Sequence, residues 1–251
     1  MVRRNTRLRA ASEADPIARF TAEIDSVPLE EQMSTDMHRL FYGNTGALVH
    51  KWRHYLSVYD RHLSQYRGTQ VRLLEIGVSR GGSLSLWRQY FGSHAKIFGI
   101  DVDPRCKSFD GRDAAVRIGS QADVSFLSSV VKELGGIDVV IDDGSHVFLD
   151  QLGSLRFLFP LLSPDGVYLC EDTHTSYWGA GYRGGVGESE SFIGLTKRLI
   201  DDLHADFHSH SEALPLANRT INSIHIYNSI VVIEKKVTPR PSHVRTGFAE
   251  F

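Results

Sequence analysis

The chain has 251 residues with 41% hydrophobic and 23% charged side chains, which suits one large α/β domain with short extensions. Its formal net charge of −2 argues against a protein that binds nucleic acid through phosphate attraction. No apolar run reaches the length of a membrane-spanning helix, and the two cysteines, Cys106 and Cys170, cannot form a disulfide framework, so we expect a reducing, cytoplasmic location.

The N-terminal part of the chain is predicted to lie outside the main sheet. Its basic start is not followed by an apolar segment, so we expect no secretory signal. Residues 1–15 are polar and aperiodic, which predicts a flexible arm, and residues 16–68 are predicted to be mainly helical. The clearest helical spacing recurs every three or four residues in a single segment: Leu48, Trp52, Tyr55, Leu56 and Tyr59.

From residue 69 to residue 236, short apolar runs alternate with helical segments. The predicted strands are residues 71–77, 96–101, 114–118, 137–142 and 166–170, and the predicted helices between them are residues 84–91, 123–134 and 148–161. Continuous apolar strands separated by helices indicate a parallel sheet that is covered on both faces. The predicted fold is therefore a doubly wound, Rossmann-like α/β domain.

The end of the domain differs from this pattern. Two further predicted strands, residues 223–227 and 230–234, are separated only by Asn228 and Ser229. A connection of two residues requires an antiparallel hairpin, whereas nicotinamide-binding Rossmann domains do not usually end in one. Residues 237–251 are predicted to form an irregular tail.

A glycine-rich turn follows the first predicted strand. Residues 73–83 read Leu-Leu-Glu-Ile-Gly-Val-Ser-Arg-Gly-Gly-Ser, which predicts a strand, a turn and the start of a helix. Gly77 lets a ligand approach the backbone closely, and ligands of such sheets bind at the carboxyl ends of the strands. The spacing matches neither the dinucleotide fingerprint nor the P-loop. A glycine turn without a ligand is the alternative.

Polar residues also follow the second and third predicted strands. Asp101 could accept both hydroxyl groups of a ribose, and Ser120 with Gln121 could contact the edge of an adenine. Alternatively, Ser120 or Asp123 could cap the next helix. Three such sites in order, at three successive strand ends, are far more specific than any one of them.

With these motifs, the sequence resembles class I S-adenosylmethionine-dependent methyltransferases over about residues 71–234. Within that superfamily it is similar to metal-dependent O-methyltransferases of natural-product sugars, of the macrocin and mycinamicin type, and to cephalosporin-hydroxylase-like proteins. Catechol O-methyltransferases are more distant. The resemblance implies S-adenosylmethionine as the cofactor, with Glu75, Gly77, Gly81 and Ser83 at its methionine part, Asp101 at its ribose, and Ser120 and Gln121 at its adenine.

Acidic residues end the fourth and fifth predicted strands. Asp142 and Asp143 end the fourth strand, and Glu171 and Asp172 end the fifth. Asp143, Glu171 and Asp172 are expected to converge, because adjacent parallel strands end side by side. Clustered carboxylates repel one another unless they share a cation or take up a proton, and oxygen ligands suit Mg²⁺. Solvated loop acids are the alternative. The resemblance implies a Mg²⁺ site made of Asp143, Glu171 and Asp172, with Asp143 also beside the cofactor.

His146 is the candidate general base. It follows Asp143 by three residues, where the similar sugar enzymes place their base, and this spacing favours Asp143 over Asp142 as the first metal ligand. A neutral imidazole can take the proton of a hydroxyl whose pKa a metal ion lowers. A surface or capping histidine is the alternative reading, and His174 is a second candidate base or a substrate contact.

Aromatic residues precede a glycine-rich stretch, residues 179–187. Tyr177 and Trp178, together with His174, are predicted to contact a sugar or an aglycone under a loop that closes over the site, or else they anchor that loop. Residues 50–55 resemble the N-terminal helix that covers the cofactor in this family. A solvated helix face explains their charges equally well.

These residues predict a Mg²⁺-dependent O-methyltransferase of antibiotic biosynthesis. Its substrate would be a hydroxyl of a deoxysugar, either nucleotide-linked or on a glycosylated natural product, and the resemblance implies a homo-oligomer. A catechol-type enzyme is disfavoured because that group carries lysine where His146 stands. A non-catalytic scaffold is disfavoured by the intact acidic triad, and a nicotinamide oxidoreductase by the glycine spacing and the final hairpin. No nucleic-acid or membrane partner is expected.

Overall fold

A computed structural model describes residues 26–182, 184–207 and 220–248. The predicted arm at residues 1–15 lies outside the described residues. From residue 26 onwards, three helices precede the sheet: α1 (Leu29–Gln32), α2 (Asp36–Tyr42) and α3 (Tyr55–Leu63). Within the described residues, none of the helices is both long and apolar enough to cross a bilayer.

Among the residues that the structure describes, seven strands and four further helices form the main domain. The strands are β1 (Arg72–Ile76), β2 (Lys96–Asp101), β3 (Ala115–Ile118), β4 (Ile137–Asp142), β5 (Leu162–Cys170), β6 (Ile221–Tyr227) and β7 (Ile230–Lys235). The helices are α4 (Gly82–Phe91), α5 (Val124–Leu134), α6 (Phe148–Leu161) and α7 (Phe192–Leu203). One-turn 3-10 segments lie at Ser64–Tyr66, Pro104–Phe109, Thr173–Tyr177, Ala180–Tyr182 and Ala205–Phe207.

The strands form one sheet in the order β3-β2-β1-β4-β5-β7-β6. The first five are parallel, and β7 is antiparallel to both β5 and β6. This arrangement confirms the predicted Rossmann-like sheet and its terminal hairpin. Because β7 runs against β5, the hairpin turn at Asn228 and Ser229 lies at the same edge as the carboxyl ends of β4 and β5.

Helices cover both faces of the sheet, which explains the continuous apolar strands. One buried cluster joins α2, α3 and α4 to the sheet and includes Tyr55, Tyr59 and Trp87. The other joins α5, α6 and α7 to the opposite face and includes Phe159 and Phe192. Each such fully buried side chain contributes about 1.5–3 kcal/mol relative to an exposed one.

The predicted helix is wrong at residues 47–54, a non-helical segment that we name the strap. Periodicity predicted a helix from Leu48, but α3 begins only at Tyr55 and Leu48 is 66% exposed. The carbonyl oxygens of Ala47 and Leu48 lie over the start of α4, where a Cβ on Gly82 would be 2.5 and 2.4 Å from them. The strap is not helical because it crosses the edge of the sheet, where its side chains form hydrogen bonds with residues of the loops.

Elsewhere the element boundaries follow local capping. Asp123 ends up outside α5 as its N-cap, because its side chain accepts hydrogen bonds from the backbone of Ser125 and Phe126. β5 begins four residues before the predicted strand, at Leu162. Helix α7 is preceded by Ser191, which accepts a hydrogen bond from Gly194, and it has no counterpart among the sequence predictions. The proposed division at residues 16–68, 69–236 and 237–251 stays a prediction.

Candidate active site

Glu75 on β1 is a fully buried carboxylate at the base of the glycine turn. It accepts hydrogen bonds from Ser83 Oγ at 2.8 Å and from Trp87 Nε1 at 3.0 Å, both on α4. Burial raises the pKa of Glu75 to about 7, against the opposing effect of the Lys51 charge and the two hydrogen bonds. A carboxylate in such a place favours binding of a cationic group.

Gly77 brings the β1 and β4 loops into contact. Its φ is +95°, and a Cβ there would lie 2.0 Å from the carbonyl oxygen of Asp143. Both the conformation and the close approach therefore require glycine. Gly81 is left-handed as well, and a Cβ there would lie within 2.5 Å of the Phe109 ring.

Asp101 at the end of β2 holds the glycine turn in place. Its Oδ2 accepts hydrogen bonds from the backbone N–H groups of Val78 and Ser79, both at 2.9 Å, and its Oδ1 accepts one from Asp103 at 2.8 Å. The carboxylate also borders a cavity of about 480 Å³. Each carboxylate oxygen has two lone-pair sites, so this predicted ribose contact keeps acceptor capacity.

Gln121 is directed into the protein, beneath the β4 loop. It is buried, its Nε2 donates to Asp142 Oδ1 at 3.1 Å and to Ser154 Oγ at 3.0 Å, and its Oε1 accepts from the backbone of Ser145 at 2.8 Å. Neighbouring Ser120 is only half-buried. Of the two predicted adenine contacts, Ser120 is the one with accessible surface, and Gln121 fixes the loop beside it.

The structure distinguishes Asp142 from Asp143. Asp142 is fully buried and accepts hydrogen bonds from Gln121, from Ser154 Oγ at 2.9 Å and from Tyr168 Oη at 2.6 Å. Burial raises the pKa of Asp142 despite these donors. Asp143 instead points towards the ends of β5. The geometry therefore favours Asp143 as the β4 member of the acidic cluster.

Lys51 of the strap reaches into this cluster. Its Nζ lies 2.5 Å from Asp143 Oδ2 and 2.8 Å from Glu171 Oε2, and its side chain is only 4% exposed. The other oxygen of Glu171, Oε1, accepts a hydrogen bond from Tyr59 Oη on α3 at 2.7 Å. Both carboxylate oxygens of Glu171 are thus bound by residues of the N-terminal part of the chain, Lys51 and Tyr59.

Asp172 is held by the same part of the chain. Its Oδ1 accepts hydrogen bonds from Trp52 Nε1 at 3.0 Å and from Tyr55 Oη at 2.9 Å. Asp172 has a φ of +53° and His146 has a φ of +56°, a left-handed conformation that costs a non-glycine residue about 1–3 kcal/mol. These left-handed conformations, in two loops that face each other, direct the side chains of Asp172 and His146 towards the same point.

The cluster is rich in negative charge. Lys51 pairs with Asp143 and Glu171, whereas Asp172 accepts its hydrogen bonds from the neutral groups of Trp52 and Tyr55. Burial works against the charge of Lys51, but Asp143, Glu171 and Glu75 outweigh it and raise its pKa. Burial and the neighbouring Asp143 raise the pKa of Glu171, with Lys51 opposing them. A further cation would therefore be stabilised here.

His146 borders the cluster from the β4 loop. Its Nε2 lies 3.6 Å from Asp172 Oδ2 and 3.8 Å from Asp143 Oδ1. Atoms of these three residues that could bind a metal ion lie within 4.8 Å of one another. The buried Nδ1 of His146 has no hydrogen-bond partner among the described residues. The imidazole is close to the carboxylates, without a direct hydrogen bond to either.

The predicted substrate residues lie beside the cluster, on the side of the hairpin. His174 Nδ1 is hydrogen-bonded to Ser229 Oγ, its ring packs edge-on against Trp52 and Trp178, and burial lowers its pKa. His174 and Tyr177 line a cavity of about 300 Å³. Trp178 lies behind His174, outside the lining of that cavity.

No family model matches the chain. The proteins of known activity that are similar to it are sugar O-methyltransferases. A tetracenomycin-C rhamnosyl 3'-O-methyltransferase of Streptomyces olivaceus is 34% identical over 91% of this chain and 62% of that protein. Demethylmacrocin O-methyltransferase of Streptomyces fradiae is 36% identical over 71% and 48%. Mycinamicin VI 2''-O-methyltransferase of Micromonospora griseorubida is 36% identical over 70% and 47%.

A solved structure agrees with these relatives. The MycE methyltransferase of the mycinamycin pathway, in complex with Mg, SAH and mycinamycin VI, superposes with a TM-score of 0.73 at 32% identity, over 81% of this chain and 54% of that one. In sequence and in fold, the chain is therefore similar to the sugar O-methyltransferases of the macrocin and mycinamicin type, within the class I methyltransferases. It spans about half the length of most of the curated relatives it matches.

Four contacts of the site were not predicted from the sequence: Lys51, Trp52, Tyr55 and Tyr59 all bind the acidic cluster. The sequence marked their segment as a resemblance to a covering helix, without a role for each residue. Lys51 lies 92 and 120 residues before its partners, and no local spacing signals such a pair. The sequence signal that could have indicated this role is a lysine that lies next to aromatic residues in the chain.

The acidic cluster fits a hard divalent cation. Its candidate ligands are carboxylate oxygens, which Mg²⁺ prefers, and the ammonium group of Lys51 shows that positive charge is stabilised between Asp143 and Glu171. The glycine turn fits the cofactor of these relatives, because Gly77 and Gly81 permit close approach of the backbone. It adjoins a buried carboxylate whose hydrogen-bond donors among the described residues are neutral.

Proposed function

We propose that this chain is an S-adenosylmethionine-dependent, Mg²⁺-dependent O-methyltransferase that acts on a deoxysugar hydroxyl of a glycosylated natural product. One observation carries the proposal: Asp143, Glu171 and Asp172 converge with His146 beside the glycine turn. The names of the relatives support it, since they give a rhamnosyl tetracenomycin, demethylmacrocin and mycinamicin VI as the methyl acceptors.

The cofactor would lie along the carboxyl ends of β1, β2 and β3. We assign its ammonium group to ionised Glu75, its ribose to Asp101 and the edge of its adenine to Ser120. The remaining predicted contacts are Gly77, Gly81, Ser83, Gln121 and Asp143. In this assignment Ser83 acts by holding Glu75 through their hydrogen bond, and Gln121 acts by fixing the loop at Ser145.

Mg²⁺ would be held by Asp143, Glu171 and Asp172, and when bound it lowers the pKa of a substrate hydroxyl and orients neighbouring substrate oxygens. Tyr59 and Tyr55 keep Glu171 and Asp172 in position by hydrogen bonds. Lys51 balances part of the charge of the cluster. Lys51 and Glu171 are also shielded from solvent, with side chains that are 4% and 1% exposed.

His146 would be the general base. Its Nε2 faces the carboxylates and accepts the proton of the attacking hydroxyl. The hydroxyl oxygen forms a bond to the methyl carbon as the bond between that carbon and the sulfonium sulfur breaks. The products are a methyl ether, S-adenosylhomocysteine and a proton on His146, which passes to solvent.

The acceptor would occupy the side of the cluster nearest the hairpin. His174 and Tyr177 line the cavity of about 300 Å³ there, with Thr173 and Ile226. The Oγ1 of Thr173 is buried and has no hydrogen-bond partner among the described residues, so it could bind a sugar oxygen. Trp178 would support His174 from behind. We further propose a cytoplasmic homo-oligomer.

Calorimetric titration with S-adenosylhomocysteine, with and without Mg²⁺, tests the proposal. We expect micromolar binding, and with macrocin-type glycosides we expect methyl transfer that a chelator abolishes. Glu171→Ala should lose the dependence on Mg²⁺ together with most activity. No binding in either condition would refute the cofactor site, and full activity of Glu171→Ala under chelator would refute the metal site.

A further inference from the structure

A second cluster of potential metal ligands lies away from the acidic site. His62 is on α3, His225 is on β6 and Glu234 is on β7. Their candidate ligand atoms all lie within 4.8 Å of one another, and the two imidazole rings are 4.5 Å apart between centroids. None of these residues takes part in the proposed methyl transfer.

One distance within this cluster matches an edge of a tetrahedral metal site, and the other is shorter because it is a hydrogen bond. His62 Nδ1 lies 2.9 Å from Glu234 Oε1, and His225 Nε2 lies 3.4 Å from Glu234 Oε2. Zn²⁺ binds histidine nitrogen and carboxylate oxygen at about 2.0–2.2 Å, so adjacent ligand atoms of a tetrahedral site are about 3.3–3.6 Å apart. Small side-chain shifts would bring all three groups around one ion.

We propose that His62, His225 and Glu234 form a binding site for a borderline transition-metal ion, of which Zn²⁺ is the representative case. Two imidazoles and one carboxylate are the ligand set of known three-ligand zinc sites, which keep a fourth position for water. Imidazole ligands select Zn²⁺ over Mg²⁺, which prefers oxygen. The site therefore differs in chemistry from the acidic cluster.

Neighbouring groups already orient the ligands. His62 Nε2 is hydrogen-bonded to Tyr227 Oη at 2.8 Å, and Ser223 Oγ donates to Glu234 Oε2 at 2.6 Å. With the ion on Nδ1 of His62, the Nε2–H group donates to Tyr227, which fixes the ring and its tautomer as outer partners do in metal sites. The proton moves from Nδ1 to Nε2, and the imidazole stays neutral.

The three ligands differ in burial, so that one is enclosed by the protein and two can be reached from solvent. The side chain of His62 is 3% exposed, whereas those of His225 and Glu234 are 36% and 29% exposed. An ion can therefore reach the two outer ligands from solvent and then bind the inner one. Burial lowers the pKa of His62, which keeps this ring in the neutral form that binds metals.

A bound ion would fix helix α3 to the terminal hairpin. The other end of α3 carries Tyr55 and Tyr59, which hold Asp172 and Glu171. An ion at His62 would thus stabilise the helix that supports the acidic cluster. This inference does not depend on the proposed methyl transfer.

Metal titration of the whole chain tests the site. The protein is stripped with chelator and titrated with Zn²⁺ or Co²⁺ in excess Mg²⁺, which protects the acidic cluster. We expect one equivalent of bound ion, with the intense visible absorption of tetrahedral Co²⁺. His225→Ala and Glu234→Gln should weaken binding at least about 100-fold, because changes to outer partners alone weaken metal sites 10- to 100-fold.

Controls separate this site from other sources of binding. His94→Ala removes an exposed histidine elsewhere and should leave the affinity unchanged. Amide hydrogen exchange in α3 should slow with Zn²⁺ in the wild type and not in His225→Ala. Absence of Zn²⁺ binding, equal affinity in His225→Ala, or loss of binding in Asp143→Asn with Asp172→Asn instead would each overturn the proposal.

Discussion

Glu75 is a carboxylate with no exposed surface, and the hydrogen-bond donors that contact it in the described part of the chain are neutral. Its pKa of about 7 lies above its value in an unfolded chain, so the folded chain holds a proton that the unfolded chain releases. Its contribution to stability is complete below about pH 4.5 and is lost as the pH rises through about 7. Binding of a cation at Glu75 has the opposite dependence, because it requires the ionised form.

We therefore predict that S-adenosylhomocysteine binds about tenfold more tightly at pH 8 than at pH 6, the ratio expected for one carboxyl with a pKa near 7. Glu75→Gln keeps the hydrogen bonding to α4, weakens binding and flattens this profile. Calorimetric titrations of both proteins across pH 6–8 provide the measurement. A Glu75→Gln profile as steep as that of the wild type would contradict the assignment.

Lys51 is the buried cation of the acidic cluster, and its removal should leave the carboxylates unbalanced. We predict that Lys51→Met lowers the free energy of unfolding by about 3–5 kcal/mol in chelator, as expected when one partner of a buried ion pair is removed. Mg²⁺ should restore more stability to this variant than to the wild type. Urea unfolding with and without Mg²⁺ measures both effects.

Lys107 provides the matched control for that variant. It pairs with Asp110 at 2.7 Å on the surface, where ion pairs are worth about 0–1 kcal/mol. Lys107→Met should therefore change stability little and should not respond to Mg²⁺. Equal losses in the two variants would show that the acidic cluster does not depend on Lys51.

His146 is predicted to affect turnover without affecting the cofactor. We expect His146→Ala to lose about 10²- to 10⁴-fold in kcat, the usual contribution of a general base, while its affinity for S-adenosylhomocysteine is unchanged. Single-turnover kinetics together with calorimetry would measure the two quantities separately. Wild-type kcat in this variant would exclude His146 as the base.

The sequence predicted the site residues that directly follow strands. It did not predict the site residues that lie in a distant part of the chain. Asp143, Glu171 and Asp172 converge as expected because adjacent parallel strands end together. Lys51 and Tyr59 were missed because their partners are more than 90 residues away in the chain. The distinction between Asp142 and Asp143 required the donors around each carboxylate.

Among the secondary-structure elements, β4 is connected to three neighbours through one side chain. Asp142 at its end binds Gln121 after β3, Ser154 on α6 and Tyr168 on β5. The three contacts hold the loop that carries Asp143 and His146. The position of the proposed base thus depends on hydrogen bonds beneath the sheet edge.

We predict that Tyr168→Phe lowers the free energy of unfolding by about 1.5–3 kcal/mol, because it removes a donor from a buried, charged acceptor. The comparison is Tyr66→Phe, which removes an exposed hydrogen bond to the carbonyl of Asp165. Chemical denaturation of both variants gives the difference. If the two losses were equal, Asp142 would not have the structural role described here.

Element boundaries were predictable where the pattern was purely apolar. β4 and α6 match the predicted ranges, because their apolar runs are bounded by polar loops. The strap was wrongly predicted as helix, since the spacing of Leu48, Trp52 and Tyr55 satisfies a helical period although Leu48 faces solvent. Trp52 turns instead towards Asp172, a tertiary contact that overrides local periodicity.

For the whole molecule, ligand binding should be visible as added stability. At concentrations 100 times the dissociation constant, S-adenosylhomocysteine should add about 2.7 kcal/mol, or roughly 5–11 °C in Tm for a chain of this size. Differential scanning fluorimetry with and without Mg²⁺ measures this shift. An unchanged Tm in both conditions would count against a cofactor site in the folded chain.

The architecture as a whole was the most predictable level. Alternating strands and helices indicated the parallel sheet, and the two residues between the last strands required the hairpin that the structure contains. What the sequence did not indicate was the insertion of β7 between β5 and β6. That pairing depends on long-range contacts with no local signature.

The position of Ser229 has a consequence for how the protein is made. Tyr55 binds both Asp172, 117 residues later, and Ser229, 174 residues later. A growing chain emerging from the ribosome therefore carries all three acidic residues well before the turn that frames them is synthesised. Contacts so distant in sequence form slowly. A truncated translation product that stops before β7 would possess the reactive groups and still lack a functional pocket.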